Sequence, residues 1–262
     1  MIVFGAIAPH SPLLAPRVGK ERREEMTGTL QAYREIEDGL IGSSVETLII
    51  ISPHAQRYPD AMSGNMAENF TGTLRSFGDH ETSATRPCDI LLLDRIQNSF
   101  RMDGSIPFTL TSSEELDYGY TVPLMLTENL HARLVPLSPS LLDARIHASF
   151  GRALKHILHE TSSRVGIIAS ADLSHRLSES SPAGYTAEGP AFDATIRSNV
   201  ASRNLDGLLS MDAEAVEAAG QCGYLPIVTI MGIFDGMNVD VKELCYEAPF
   251  GVGMMTAIIE PR

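Results

Sequence analysis

The segment RVGIIAS from Arg164 to Ser170 runs directly into ADLSH, which ends at His175, and it is the most informative stretch for the fold. Its apolar run predicts a strand buried on both faces, because a strand covered by helices on either side shows no polar alternation. VETLIII at Val45 to Ile51 and IVFGAIA at Ile2 to Ala8 have the same character. Buried strands of this kind, separated by amphipathic stretches, predict an α/β fold.

The rest of the chain continues this alternation without an interrupting linker. Further strands are predicted at Leu134 to Leu137, Val239 to Tyr246 and Val252 to Ile259. Helices are predicted at Lys20 to about Leu40, Cys88 to Phe100, from the turn after Glu115 to about Asn129, Leu141 to His159, Pro190 to Asn204, Asp212 to Ala219 and Leu225 to Phe234. The polar segment Gln56 to Arg86 predicts only a loop and an edge strand. We therefore expect one α/β domain over residues 1–262, with a central mixed β-sheet flanked by helices on both faces.

The composition is typical of a globular protein and argues against two classes of partner. Hydrophobic residues make up 44% of the chain, and 33 acidic residues against 20 basic ones give a formal net charge of -13. Nucleic acid and anionic membrane surfaces require a basic footprint on the protein, so neither is an expected partner. No apolar stretch approaches the roughly 20 residues that a membrane helix needs.

The cysteine content indicates a reducing compartment. The 3 cysteines, Cys88, Cys222 and Cys245, cannot form a disulfide framework, and at least one of them must be unpaired. The opening residues MIVFGAIAPHSPLL contain no basic segment of the kind that begins a signal peptide. We therefore expect a cytoplasmic protein.

Three of the 8 histidines share one position relative to the predicted strands, just past a strand end: His10, His54 and His175. Ligands of α/β sheets bind in the crevice beyond the carboxyl ends of the strands, so these imidazoles are expected to converge there. Such a group suits metal binding or acid/base chemistry. The other five are expected in a loop, at a helix end or on a solvated helix face: His80, His131, His147, His156 and His159.

A metal bound by two histidines needs a third ligand, and the candidates are Glu243, Glu247 and Cys222. A carboxylate would complete the facial triad found in oxygen-activating Fe(II) sites. Cys222 lies in a Gly-Gln-Cys-Gly break before a predicted helix, where the helix dipole would favour a thiolate. The alternative for Cys222 is a small buried hydrophobic side chain, which is the usual fate of a free cysteine.

Seven motifs occur together along the chain: APHSPLL, ISPH, LDYGYTVPL, ASADLSH, SPAGYTAEGPAFD, CGYLPI and YEAPFGVG. This ordered set resembles the superfamily of class III extradiol ring-cleavage dioxygenases of the protocatechuate type. It looks closest to their Memo-related branch, which occurs beside or fused to AMMECR-type domains and is associated with a radical-SAM system. The resemblance spans essentially the whole chain and implies a single class III extradiol dioxygenase-like domain over residues 1–262.

The resemblance also implies roles for individual residues. His10 and His54 match the two metal-binding histidines of the family, and His175 matches the catalytic histidine that exchanges protons with a catechol. Asp172 and Ser174 would orient His175. The implied cofactor is Fe(II), and the implied reactants are a catechol-like aromatic substrate and O2. Homo-oligomers and AMMECR-type or radical-SAM partners are expected on the same ground.

Two positions depart from the pattern of the family's dioxygenases. Cys222 stands where they carry a glutamate ligand, as in Memo-type proteins, and a thiolate shifts the preference toward Cu(I) or Zn. Tyr118 stands where they carry a substrate-facing histidine. A tyrosine hydroxyl can donate a hydrogen bond, but it cannot act as a base near pH 7 without a large pKa shift.

The sequence leaves four functions open. The first is a non-haem, metal-dependent extradiol dioxygenase, an oxidoreductase of aromatic compound metabolism, with Tyr118, Asp172 and His175 around the reacting atoms. The second is a Memo-like protein that binds Cu or Zn for a redox or partner-binding role without ring cleavage. The third is a zinc hydrolase, because two histidines and one cysteine with an open fourth position also form a catalytic zinc site. The fourth is a non-catalytic protein that recognises a peptide.

Overall fold

The buried strand from Ile2 to Ala8 is found with its predicted bounds and lies inside the main sheet of the chain. The computed structural model describes all 262 residues, from Met1 to Arg262. In spatial order the main sheet contains β10 (Val239–Glu247), β11 (Met254–Pro261), β1 (Ile2–Ala8), β9 (Val165–Ser170), β2 (Thr47–Ile51), β8 (Arg133–Ser138), β3 (Met62–Asn65) and β6 (Phe108–Thr111). A second, smaller sheet contains β5 (Asp79–Pro87), β4 (Asn69–Leu74) and β7 (Glu115–Leu116).

The four central strands β1, β9, β2 and β8 are parallel to one another. Their last residues are in register, since Ala8 pairs with Ser170 and Ile51 pairs with Ala169 and Leu137. Strands β10 and β11 are antiparallel at one side, and β3 runs antiparallel to β8 at the other. The predicted mixed sheet is confirmed, and its central strands end at a common edge.

Helices cover both faces of this sheet. The α-helices are α1 (Pro16–Gly19), α2 (Thr27–Gly42), α3 (Ile90–Asp103), α4 (Tyr118–Leu126), α5 (Ala144–His159), α6 (Glu188–Ala201), α7 (Leu205–Leu209), α8 (Ala213–Ala218) and α9 (Tyr224–Phe234), and short 3-10 helices occupy Pro12–Leu14, Lys20–Met26 and Arg75–Phe77. Phe4 of β1 packs against Gly39 of α2, and the next residue, Gly5, packs against Phe234 of α9. Because successive side chains of a strand point to opposite faces, α2 and α9 lie on opposite sides of the sheet. The predicted α/β architecture with helices on both faces is confirmed.

The structure differs from the sequence prediction most clearly in the segment from Gln56 to Arg86. It contains β3, β4 and most of β5, where a loop and a single edge strand were expected. These strands are short and rich in glycine and polar residues, and the small sheet that they help to form pairs through Thr71 and Gly72 with β7. Long-range pairing therefore decides their structure, and local sequence does not show it.

The long predicted helix from Leu141 begins three residues later than expected. The Asp143 side chain accepts a hydrogen bond from the backbone N–H of Ile146 at 3.0 Å, so Asp143 caps α5 and Ala144 is its first residue. Within α5, His147 was expected on a solvated face, and that expectation is wrong because its side chain is fully buried. No helix of the chain is both long and apolar enough to cross a membrane.

Candidate metal centre

The residues that the sequence singled out come together at the edge where the central strands end. His10 follows β1, His54 follows β2, and Asp172 and His175 follow β9. Cys222 reaches them from the segment before α9, where the backbone N–H of Gly223 donates to the Asp172 carbonyl at 2.9 Å. The approach is close enough that a Cβ atom on Gly223 would lie 2.5 Å from that carbonyl oxygen, so a glycine is needed here.

Three possible ligand atoms face one another at the centre of this group. His10 Nε2 lies 2.9 Å from His54 Nε2 and 3.4 Å from Cys222 Sγ. The ligand atoms of His10, His54 and Cys222 all lie within 4.8 Å of one another. Two imidazole nitrogens at about 2.1 Å and a thiolate at about 2.3 Å from one ion have separations of this size. The three side chains therefore fit a single metal ion.

The hydrogen bonds of His10 determine which of its nitrogens is free. The Ser170 hydroxyl donates its only proton to the Gly119 carbonyl at 2.5 Å, so it can only accept from His10 Nδ1, which lies 2.9 Å away. This arrangement places the imidazole proton on Nδ1 and leaves the Nε2 lone pair for a metal. Ser170 was not singled out by the sequence, although a polar residue closing an apolar strand beside the site is a visible signal.

His54 lies between His10 and Tyr118. The Tyr118 ring stacks on the His54 ring with centroids 4.3 Å apart, and its hydroxyl lies 2.8 Å from His54 Nε2. Burial, reinforced by the nearby His10, lowers the pKa of His54 to about 4, so its imidazole is neutral at pH 7 and can act as a ligand. Burial, together with the charges of Cys222 and Asp172, raises the pKa of Tyr118, so this hydroxyl remains a hydrogen-bond donor.

Asp172 serves His10 and not His175 in its hydrogen bonds. Its Oδ1 accepts from the His10 backbone N–H at 2.9 Å, and its Oδ2 lies 3.7 Å from His10 Nε2. Ser174 donates its hydroxyl proton to the Ala219 carbonyl at 2.7 Å. Neither residue therefore orients His175 by a hydrogen bond, in contrast to the expectation from the resemblance.

His175 lies at the border of the group, with Nε2 4.0 Å from Cys222 Sγ. Its ligand atom also clusters with those of Asp172 and Cys222. Burial lowers the pKa of His175, while the Asp172 carboxylate opposes this effect. The neutral imidazole can accept a proton, and Asp172 stabilises the charged form that results.

The expectation that a helix dipole makes Cys222 a thiolate is wrong for the metal-free chain. Burial, with a further contribution from the Asp172 carboxylate, raises the pKa of the Cys222 thiol. A helix N-terminus is the weaker influence here because the carboxylate is adjacent. A metal ion at the site would have to displace this proton on binding.

The two alternative carboxylate ligands are engaged elsewhere. Glu243 forms a two-pronged ion pair with Arg197, at 2.9 and 2.7 Å. Glu247 accepts a hydrogen bond from the Thr29 backbone N–H at 2.8 Å. Four of the remaining five histidines are exposed: His80, His131, His156 and His159. Cys222 is therefore the third side chain that the structure brings to His10 and His54.

A cavity of about 280 Å³ opens beside His54. Only 3 of its 13 lining residues are hydrophobic, and Asp117 and Glu115 lie at its wall, so it suits a ligand with polar substituents. Phe77, at the tip between β4 and β5, contacts Tyr118 with ring centroids 5.2 Å apart. No sequence pattern pointed to Phe77, because it lies in the segment whose strands were not predicted.

Comparisons with known proteins agree with this architecture. The chain is 27% identical over 257 residues to Protein CA_C1420 of Clostridium acetobutylicum, which covers 94% of this chain and 55% of that protein. The chain thus spans about half the length of this curated relative. The crystal structure of uncharacterized protein JW3007 from Escherichia coli K12 has the same fold, with a TM-score of 0.66, 17% sequence identity and coverage of 98% of this chain and 99% of that one.

The family comparison covers almost the whole chain. Residues 5–257 match the model described as the catalytic LigB subunit of aromatic ring-opening dioxygenase. This range contains all the residues of the candidate metal centre, from His10 to Cys222. The protein belongs to the LigB family.

Proposed function

We propose that this protein is a metal-dependent dioxygenase that opens a catechol-type aromatic ring with O2. The observation that carries the proposal is the convergence of His10, His54 and Cys222 on one point beside the neutral imidazole of His175. Membership of the LigB family supports an aromatic substrate and O2.

The metal-binding role falls to His10, His54 and Cys222. His10 offers Nε2 because Ser170 holds the proton of its ring on Nδ1, and His54 offers a neutral imidazole because burial lowers its pKa to about 4. Fe(II), the ion that the family resemblance implies, would supply Lewis acidity and electron transfer to O2 when bound there. Cys222 also suits Zn or Cu(I), since thiolates prefer softer ions.

Proton transfer falls to His175, and substrate orientation falls to Tyr118. His175 is neutral at pH 7, so it can take a proton from a catechol hydroxyl, and Asp172 favours the imidazolium that forms. Tyr118 keeps its proton and can donate a hydrogen bond to a substrate oxygen. The polar cavity beside His54 offers space for the substituents of the ring.

Oxygen consumption tests this proposal directly. Ring cleavage places both atoms of one O2 in the product and draws all electrons from the catechol, so no external reductant is needed. Protein loaded anaerobically with Fe(II) should consume O2 in equal amount to one catechol of a broad panel, and His175→Gln should slow this reaction about 100-fold or more. The exposed His159→Gln serves as the control. Absence of turnover with every catechol, with the metal shown to be bound, would contradict the proposal.

A second candidate function is supported by Cys222 and Tyr118. Both departures from the dioxygenase pattern are those of a Memo-like protein that binds Cu or Zn and has a redox or partner-binding role without ring cleavage. In that case Cu(I) or Zn binds more tightly than Fe(II), and the Fe(II) form does not turn over. Measuring the affinities of the three ions beside the oxygen assay separates the two candidates.

The assembly and cellular setting also remain proposals from the resemblance. These are placement in the Memo-related branch, a homo-oligomer, AMMECR-type or radical-SAM partners, and a cytoplasmic location. Size-exclusion chromatography with light scattering tests for the homo-oligomer, and affinity purification under anaerobic conditions tests for the partners.

A further inference from the structure

Arg57 is a half-buried cation near the metal centre that has almost no partners. It lies three residues after His54, in the loop that follows β2. One guanidinium nitrogen donates to the Ser140 carbonyl at 2.8 Å, while the Nε atom is buried and has no hydrogen-bond partner. A guanidinium has five N–H donors, so most of them are unused here.

No carboxylate pairs with Arg57, although the chain has 33 acidic residues against 20 basic ones. A partly buried charge is costly unless it is paired or hydrogen-bonded. Another half-buried arginine, Arg86, meets this requirement by donating to the carbonyls of Thr85, Thr127 and Glu128. Arg57 has only Ser140, so its remaining donors are available to a ligand.

The acceptor that holds Arg57 is itself fixed. The Ser140 backbone N–H donates to His147 Nε2 at 3.1 Å, and His147 Nδ1 donates to the Asp143 carbonyl at 2.8 Å. His147 is fully buried, and burial lowers its pKa to about 4, so it remains a neutral acceptor for Ser140. This connection ties the position of the guanidinium to the start of α5 and limits the entropy lost when Arg57 binds a ligand.

The charge of Arg57 reaches the metal centre. It acts with burial and the neighbouring imidazoles to lower the pKa of His54, and it opposes the effect of burial on the pKa of Cys222. A divalent ion at the site would be balanced by the Cys222 thiolate and the Asp172 carboxylate. One positive charge would then remain at Arg57, and an anionic ligand would neutralise it.

We propose that Arg57 binds a carboxylate carried by the aromatic molecule that occupies the metal centre, and so selects acidic catechols over neutral ones. This inference rests on the proposed function for the aromatic part of the ligand. The planar fork of an arginine matches a carboxylate with two parallel hydrogen bonds, and Arg57 has the free donors for it.

The test compares an acid with its neutral isostere. Protein loaded with redox-inert Zn is titrated by calorimetry with 3,4-dihydroxybenzoate and with 3,4-dihydroxybenzamide, in the native chain and in Arg57→Met. The native chain should bind the acid about tenfold or more tightly than the amide, and Arg57→Met should remove this preference while binding of the amide stays unchanged. Arg86→Met, at the amino ends of β2 and β8, is the matched control and should keep the preference.

Arg57→Lys covers the case in which Arg57→Met does not fold. It retains the charge without the fork and should show a smaller but measurable preference for the acid. Equal binding of acid and amide to the native chain, or a preference that survives in Arg57→Met, would overturn the proposal. If neither dihydroxy compound binds, the ring-cleavage function is contradicted, and benzoate decides the role of Arg57. Binding of benzoate that is lost in Arg57→Met then upholds an anion site, and its absence in the native chain refutes one.

Discussion

His10 Nδ1 lies 2.9 Å from the Ser170 hydroxyl oxygen, and Ser170 sends its own proton to the Gly119 carbonyl. This pairing fixes the protonated nitrogen of the imidazole and the orientation of its ring. Ser170→Ala removes the acceptor for Nδ1 and should reduce metal affinity by about 10-fold to 100-fold. Competition with a chromophoric chelator measures the change.

Ser138→Ala is the control for this variant, because Ser138 is also buried and ends β8 at the same edge of the sheet without touching a metal ligand. Its affinity should remain within about threefold of the native value. Equal affinity in the native chain and Ser170→Ala would show that His10 needs no such support.

Cys222→Ala should remove the softest ligand and weaken binding of Zn and Cu(I) about 100-fold or more, with a smaller loss for Fe(II). Cys245→Ala is the matched control, since Cys245 is another free, partly exposed thiol that lies outside the ligand group. Chelator competition with each ion gives the affinities. An unchanged Zn affinity in Cys222→Ala would exclude this thiol from the metal site.

Gly223→Ala should destabilise the fold and displace Cys222. The added Cβ atom would lie 2.5 Å from the Asp172 carbonyl oxygen and 2.7 Å from the Ala171 Cβ, which is too close for either to remain in place. We expect a loss of about 1–3 kcal/mol in the free energy of unfolding, together with weaker metal binding. Urea denaturation measures the first effect.

Gly42→Ala provides the contrast for this measurement. Gly42 is the last residue of α2, and its Cβ would meet no atom within 4 Å. Because alanine favours a helix over glycine, this change should leave stability unchanged or raise it by up to about 1 kcal/mol. Similar stability losses in both variants would contradict the steric explanation at Gly223.

Asp193 should make stability depend on pH. Burial raises the pKa of its carboxyl to about 6, although the Ser174 N–H and the Tyr246 hydroxyl donate hydrogen bonds to it. Between about pH 4 and pH 6 the folded state therefore binds more protons than the unfolded state, and the free energy of unfolding falls as the pH rises. A pKa change of this size corresponds to about 3 kcal/mol.

Asp193→Asn keeps the shape of the side chain and removes the titration. The stability of this variant relative to the native chain should therefore rise by up to about 3 kcal/mol between pH 4 and pH 7, measured by urea denaturation at several pH values. Asp60→Asn, at an exposed position, should show no such change. A constant difference between native chain and Asp193→Asn across this range would argue against a buried, protonated carboxyl.

The sequence predicted the part of the fold that depends on local pattern. Strand β1 was predicted to the residue, and the meeting of His10, His54 and His175 followed from the rule that parallel strands end at one edge. The small sheet of β4, β5 and β7 was missed because its strands lack an apolar alternation. Their pairing joins Thr71 to Glu115, and no local signal encodes a partner at that distance.

Two side chains show different reasons for error. His147 lies on the same face of α5 as the buried Gly151, Leu154 and Leu158, so helical periodicity could have placed it in the core. The protonation of Cys222 could not be read in this way. It depends on burial and on Asp172, which is 50 residues away in the chain.

The large sequence separations within the metal centre have a thermodynamic consequence. His10 and Cys222 are 212 residues apart, and His10 and His54 are 44 apart, so an unfolded chain does not hold the three ligands together. Metal binding is therefore linked to folding of the entire domain. A free ion at 1,000 times its dissociation constant would raise the global stability by about 4 kcal/mol. Loading the ion after folding and removing it before unfolding are then two ends of one equilibrium, and the melting temperature reports metal occupancy.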